Sequence, residues 1–168
     1  MEQQSATGTS TRSVPEQSMP NDSAPVPSAP RDFVEVRIPA DGAYLSVLRT
    51  ATAGLAARLD FTLDEIEDLR IAVDEACAIL LPKVVADTPL TCRFDLDKDA
   101  LGVSVSAATV DGRPPSRDTF AWTVLTALAG EVDAGVTDEG GQAPVVRISM
   151  RKRRGETPPL GAGPAGLA

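Results

Sequence analysis

The sequence predicts an α+β fold: a two-layer sandwich with one mixed sheet whose helices cover a single face. Strand-like and helix-like hydrophobic spacings run in the order β-α-α-β-β-α-β-β, with paired strands set apart from the helices rather than alternating with them. Proline-rich stretches at both ends leave about 120 residues between them, enough for one modest core.

The first strand is the alternating stretch Phe33 to Ile38, closed by the turn residues Pro39 to Gly42. From Tyr44 to Leu59 the apolar positions Leu45, Leu48, Ala51, Leu55, Ala56 and Leu59 recur at helical spacing. Thr62 followed by Glu65 forms a capping-box pair for a second helix, whose apolar face runs from Ile66 to Leu80 and which Pro82 stops. Acidic residues Asp64, Glu65, Glu67 and Asp68 crowd its first turns, where the helix dipole favours negative charge. Leu90–Leu96 and Leu101–Ala107 form a hairpin around Asp97 to Ala100. Asp118 to Ala129 is helical, with Phe120, Val124, Leu125 and Leu128 on its apolar side. Glu131–Val136 and Val145–Met150 pair across Asp138 to Gly141, whose glycines read as a strand-connecting turn.

Residues 1–31 hold five prolines and six serines and have no Leu, Ile or aromatic side chain, so they bury too little apolar area to offset ordering entropy. They are expected to form a disordered tail, as are residues 153–168, with the folded domain at 32–152. The run Arg151 to Arg154 reads as a solvated chain end.

The chain of 168 residues carries 16 Lys+Arg against 24 Asp+Glu, a net charge of −8, with two cysteines and no histidine. Without imidazole, His-based general bases, Ser-His or Cys-His pairs and His-ligated metals are excluded. Cys77 and Cys92 form no C-x-x-C and read as buried reduced thiols. An acidic balance argues against direct nucleic-acid binding, and no apolar run approaches a bilayer-spanning length. With no secretion signal recognised, the expected compartment is the cytoplasm.

The segment Asp68-Leu-Arg-Ile-Ala-Val-Asp-Glu-Ala-Cys77 and the segment Phe120-Ala-Trp-Thr-Val-Leu-Thr-Ala-Leu-Ala129 carry a resemblance. Over about Val34 to Lys152 the chain resembles the anti-sigma factor serine kinases of bacteria, most closely the actinobacterial anti-sigma factors. These belong to the ATPase superfamily that also holds gyrase, Hsp90 and histidine kinases, and the resemblance implies that superfamily's fold. In that family a helical Glu acts as general base and an Asn four residues later helps hold Mg²⁺. The spacing puts both side chains on one helix face. Glu75 matches the Glu, but Ile79 stands at the Asn position and offers no oxygen to a hard cation. The family's Asp-x-Gly-x-Gly, whose Asp binds the adenine amino group, is reduced here to Asp111-Gly-Arg-Pro-Pro115. The glycine-rich phosphate lid has no counterpart ahead of the third helix. The resemblance therefore implies Glu75 as a vestigial general base, Asp111 as the one retained nucleotide contact, no metal site, and no resident cofactor.

What the resemblance retains is a partner surface. Arg49 matches an arginine that in the family contacts both the sigma factor and a competing anti-anti-sigma protein, and a planar guanidinium suits bidentate carboxylate binding. On the residues alone, Arg49 reads equally as a solvated arginine on the polar face of its helix. Tyr44, near Arg49, and the aromatics Phe120 and Trp122 read either as partner anchors or as packing residues. The resemblance implies an anti-sigma factor that sequesters an RNA polymerase sigma factor, is released by a STAS-type anti-anti-sigma factor and forms a homodimer. The alternative is an active serine/threonine kinase, using ATP and Mg²⁺, that phosphorylates the anti-anti-sigma factor.

Overall fold

The computed structural model describes residues 32–138, 140 and 142–156. The expected tail 1–31 and, of the expected tail 153–168, residues 157–168 lie outside the described residues. Five strands and three helices appear in the expected order: β1 (Asp32–Pro39), α1 (Leu45–Arg58), α2 (Leu63–Leu80), β2 (Pro89–Leu96), β3 (Ala100–Ala108), α3 (Phe120–Ala129), β4 (Glu131–Thr137) and β5 (Val145–Arg153). Short 3-10 turns, Gly42–Tyr44 and Leu81–Lys83, precede α1 and follow α2.

The sheet order is β1-β2-β3-β5-β4, and every pairing is antiparallel. A mixed sheet was the expectation, and the parity of the connections corrects it. Between β1 and β2 the chain crosses the molecule twice, along α1 and back along α2, so β2 returns against β1. The single helix between β3 and β4 leaves those two strands running the same way, but β5 inserts between them and opposes both.

All three helices lie on one face. Strand positions alternate, so that Phe94, Val103, Val105 and Ile148 meet Leu48 of α1, Leu69, Val73 and Cys77 of α2, and Leu125 of α3 in one core. The other face carries Arg93, Asp95, Ser104, Ser149 and Arg151. Thr62 and Glu65 complete the capping box of α2. Glu65 N–H donates to Thr62 Oγ1 at 3.3 Å, and Thr62 N–H donates to Glu65 Oε2 at 2.8 Å.

Three sequence expectations change. The apolar face of α3 is Trp122, Leu125 and Ala129, while Phe120 is 84% exposed. Thr119 caps the helix by accepting from Trp122 N–H at 3.2 Å, so the helix starts at Phe120 rather than at Asp118. The folded region also continues beyond 152. Arg154 N–H donates to Asp99 O at 2.8 Å and Gly155 N–H to Glu65 Oε1 at 2.6 Å, which ties the chain to the start of α2. Third, the basic run 151–154 is solvated only in part: Arg153 and Arg154 are exposed, but Lys152 turns inward. Lys152 is 2% exposed, its Nζ 3.1 Å from Asp68 Oδ2 and 2.8 Å from Leu128 O.

Candidate functional site

Asp68, Glu75 and Ile79 recur at spacings of seven and four, so they share one edge of α2. Lys152 bridges Asp68 to the last turn of α3 and so marks this edge as the one beside α3. Glu75 is half-buried and makes no hydrogen bond or ion pair among the described residues. Ile79, one turn on, is packed against the core. The place where the family's Asn would offer an oxygen is therefore hydrocarbon. Among the described residues no group of three or more Cys, Asp and Glu side chains converges as a metal site.

Asp111 is exposed, and both its oxygens are engaged. Oδ2 lies 3.0 Å from Lys83 Nζ, and Oδ1 accepts from Arg113 N–H at 3.1 Å. The Arg113 N–H and then the Lys83 ammonium hold this carboxyl below the usual aspartate range. Gly112, at φ +56°, offers no cradle for a ring, because the space beside it is filled by protein. A Cβ there would come 2.6 Å from Pro144 Cγ. Thr109 fastens the arrangement, its N–H donating to Pro144 O at 2.9 Å and its hydroxyl accepting from Gly112 N–H at 3.2 Å. At the start of α3 the Trp122 and Thr123 N–H groups are already taken by Thr119. These residues do not fit ATP with Mg²⁺: the metal ligand, the ring cradle and the glycine-rich phosphate loop are replaced by an isoleucine, a proline and a self-capped helix. A cavity of about 580 Å³ opens instead between the end of β1 and the loop after α2, lined in part by Ile38, Pro39, Leu81 and Val84; Glu75, Ile79 and Asp111 do not line it.

On the other side of α2 lie the residues expected to bind a partner. Arg49 reaches across from α1, and its Nε donates to Asp74 Oδ2 at 2.5 Å, with about 43% of the arginine side chain still exposed. Tyr44 is exposed in the 3-10 turn ahead of α1, with Val47 exposed one turn later. No hydrogen bond joins Tyr44 to Arg49 among the described residues. Trp122 is buried in the core under α3, with the Arg117 guanidinium 5.3 Å from its ring centre, so it packs the fold rather than a partner.

Two participants were missed. Lys152 had a readable signal, since it continues the inward parity of Val146, Ile148 and Met150 along β5. Asp74 had none, because its partner lies 25 residues away on another helix. Cys77 and Cys92 are free and buried as expected; burial and then the nearby Asp74 charge push the Cys77 thiol up to about 12, and burial raises that of Cys92 as well. No described helix is long and apolar enough to cross a membrane.

No protein-family model matches the chain. The serine-protein kinase RsbW of Bacillus velezensis is 37% identical over 78 residues, 45% of this chain and 49% of that protein. The RsbW of Bacillus subtilis strain 168 is 36% identical over the same shares. The chain thus spans about half the length of these Bacillus relatives. The anti-sigma-F factor RsbW of Mycobacterium tuberculosis strain H37Rv is 35% identical over 117 residues, 70% of this chain and 68% of its own. An identity of that size across more than two thirds of both proteins means that this chain belongs to the RsbW family of anti-sigma factors.

Proposed function

We propose that the chain is an anti-sigma factor that sequesters an RNA polymerase sigma factor, that a STAS-type anti-anti-sigma factor releases it, and that it works as a homodimer without nucleotide. The relative named as an anti-sigma-F factor, matched over more than two thirds of its length, carries this reading. Arg49 and Tyr44 are its partner-binding residues. Asp111 serves the turn after β3 rather than adenine, and Glu75 is a vestige of a general base. Inhibition is then by occupancy, and release follows mass action, set by the concentrations of the two competing partners.

The test is calorimetric titration of the purified chain with each sigma factor encoded in the same genome. One member of the panel is expected to bind at sub-micromolar Kd, and binding by none overturns the reading. Arg49→Ala is expected to weaken that complex by about 1.5–3 kcal/mol, the range for a charge-assisted bond. Unchanged affinity would assign Arg49 to solvent. Light scattering of the free chain checks the homodimer.

A kinase reading keeps one observation in its favour, the retained Glu75 on the α3-facing edge of α2. Phosphate transfer from labelled ATP to the anti-anti-sigma protein, abolished in Glu75→Ala, would establish it over sequestration alone.

A further inference from the structure

We propose that Asp74 is a positioning residue for the partner interface, holding the Arg49 guanidinium so that its outer edge meets a carboxylate of the incoming partner. The inference rests on the reading above that Arg49 touches the partner, and it adds a residue that neither the motif comparison nor the spacing along the chain indicates. Asp74 Oδ2 accepts from Arg49 Nε across the α1–α2 seam. A guanidinium gripped at Nε has its two Nη groups left over, and neither has a partner among the described residues. The side chains are about 43% and 30% exposed, so the pair sits at the rim of the seam, where the outer edge of the fork remains open to solvent.

The grip has a definite energetic role. An arginine on an exposed helix face samples many rotamers, and a partner that captures it must restrict them. Asp74 imposes that restriction inside the free protein. The other oxygen of Asp74, Oδ1, is buried and accepts no hydrogen bond, so among the described residues Arg49 is the one hydrogen-bond donor to this carboxylate. Neighbouring Arg70 does not share the task. Its Nη1 donates to Glu67 Oε2 at 2.7 Å, while its own Nε is left buried without a partner.

Simple Coulomb reasoning predicts the opposite sign. The Asp74 charge repels an incoming carboxylate, so its removal should tighten the complex if attraction to net positive charge were all that mattered. Positioning predicts that removal loosens it.

The experiment measures the affinity of the full chain for the sigma factor that binds in the panel above. Asp74→Ala is expected to weaken binding roughly tenfold, and Asp74→Asn, which keeps an oxygen for Arg49 Nε, to recover most of that loss. In an Arg49→Ala background the Asp74→Ala change should add less than about a twofold effect, the mark of a residue acting only through Arg49. Asp74→Ser, too short to span the seam, substitutes if the alanine variant does not fold. The inference is overturned if Asp74→Ala binds as tightly as the native chain or tighter, or if its loss persists without Arg49. Arg49→Ala with native affinity would instead sink the reading of Arg49 on which the inference stands.

Discussion

At Gly112 a single residue type is required for two independent reasons. Its φ of +56° lies where side chains other than glycine are strained, and a Cβ there would clash with Pro144 Cγ 2.6 Å away. Gly112→Ala is expected to destabilise the fold by about 1–3 kcal/mol in urea titration. A loss within 0.5 kcal/mol or so, the scale of neutral surface changes, would mean that the loop yields easily. The sequence makes the turn at Asp111-Gly112 visible, but not the proline 32 residues later that closes on it. Ile79 is the reverse case: four positions after Glu75, its chemistry is plain from the one-dimensional chain, because helix geometry is local.

Among the elements, α2 is fastened at its start by the segment that follows β5, through the Gly155 N–H on Glu65. Glu65 is desolvated by burial, which alone would raise its pKa, but the Thr62 and Gly155 hydrogen bonds and the Lys152 charge outweigh that and hold it below its ordinary value near 4.5. A carboxylate depressed in the folded state contributes stability that is complete above its unfolded value and disappears as pH falls through its folded one. Glu65→Gln should therefore lower stability at pH 7, and the gap from the native chain should close progressively below about pH 4.5; a gap constant from pH 7 to pH 3 would contradict this.

Lys152 acts between elements, joining β5 to α2 and to the carboxyl end of α3, where a cation also suits the helix dipole. Lys152→Ala leaves Asp68 without its cation and the Leu128 carbonyl without a donor, for an expected cost of about 1–3 kcal/mol, reduced because Asp68 is partly exposed. Lys152→Met, which keeps the buried stem, should cost less; equal losses would assign the effect to the lost ammonium and its two bonds rather than to packing. The inward parity of β5 extends past Met150 and makes this buried lysine legible in the sequence. The cluster of four basic residues obscured it, since such runs are usually solvated.

For the molecule as a whole, nucleotide binding would need several distant changes together. The metal position is on α2, the ring cradle is closed by a residue leading into β5, and the phosphate loop is a self-capped start of α3. Restoring one of them is not expected to restore the site. Ile79→Asn should give no measurable heat with ATP and Mg²⁺ in calorimetry, as should the native chain; tight binding by the variant would mean that the isoleucine alone keeps nucleotide out.

The sequence by itself determined the element order, the capping box of α2, the pairing of the strands into hairpins and the isoleucine that stands four positions after Glu75. Each of these depends on residues close together along the chain. The tertiary structure alone decided that the sheet is wholly antiparallel, that Pro144 fills the space beside Gly112, that Lys152 pairs with Asp68 and the Leu128 carbonyl and that Asp74 grips Arg49. Those contacts join residues tens of positions apart. They arise because burying one shared apolar face brings helices and strands together, and local propensity carries no record of which polar groups then meet.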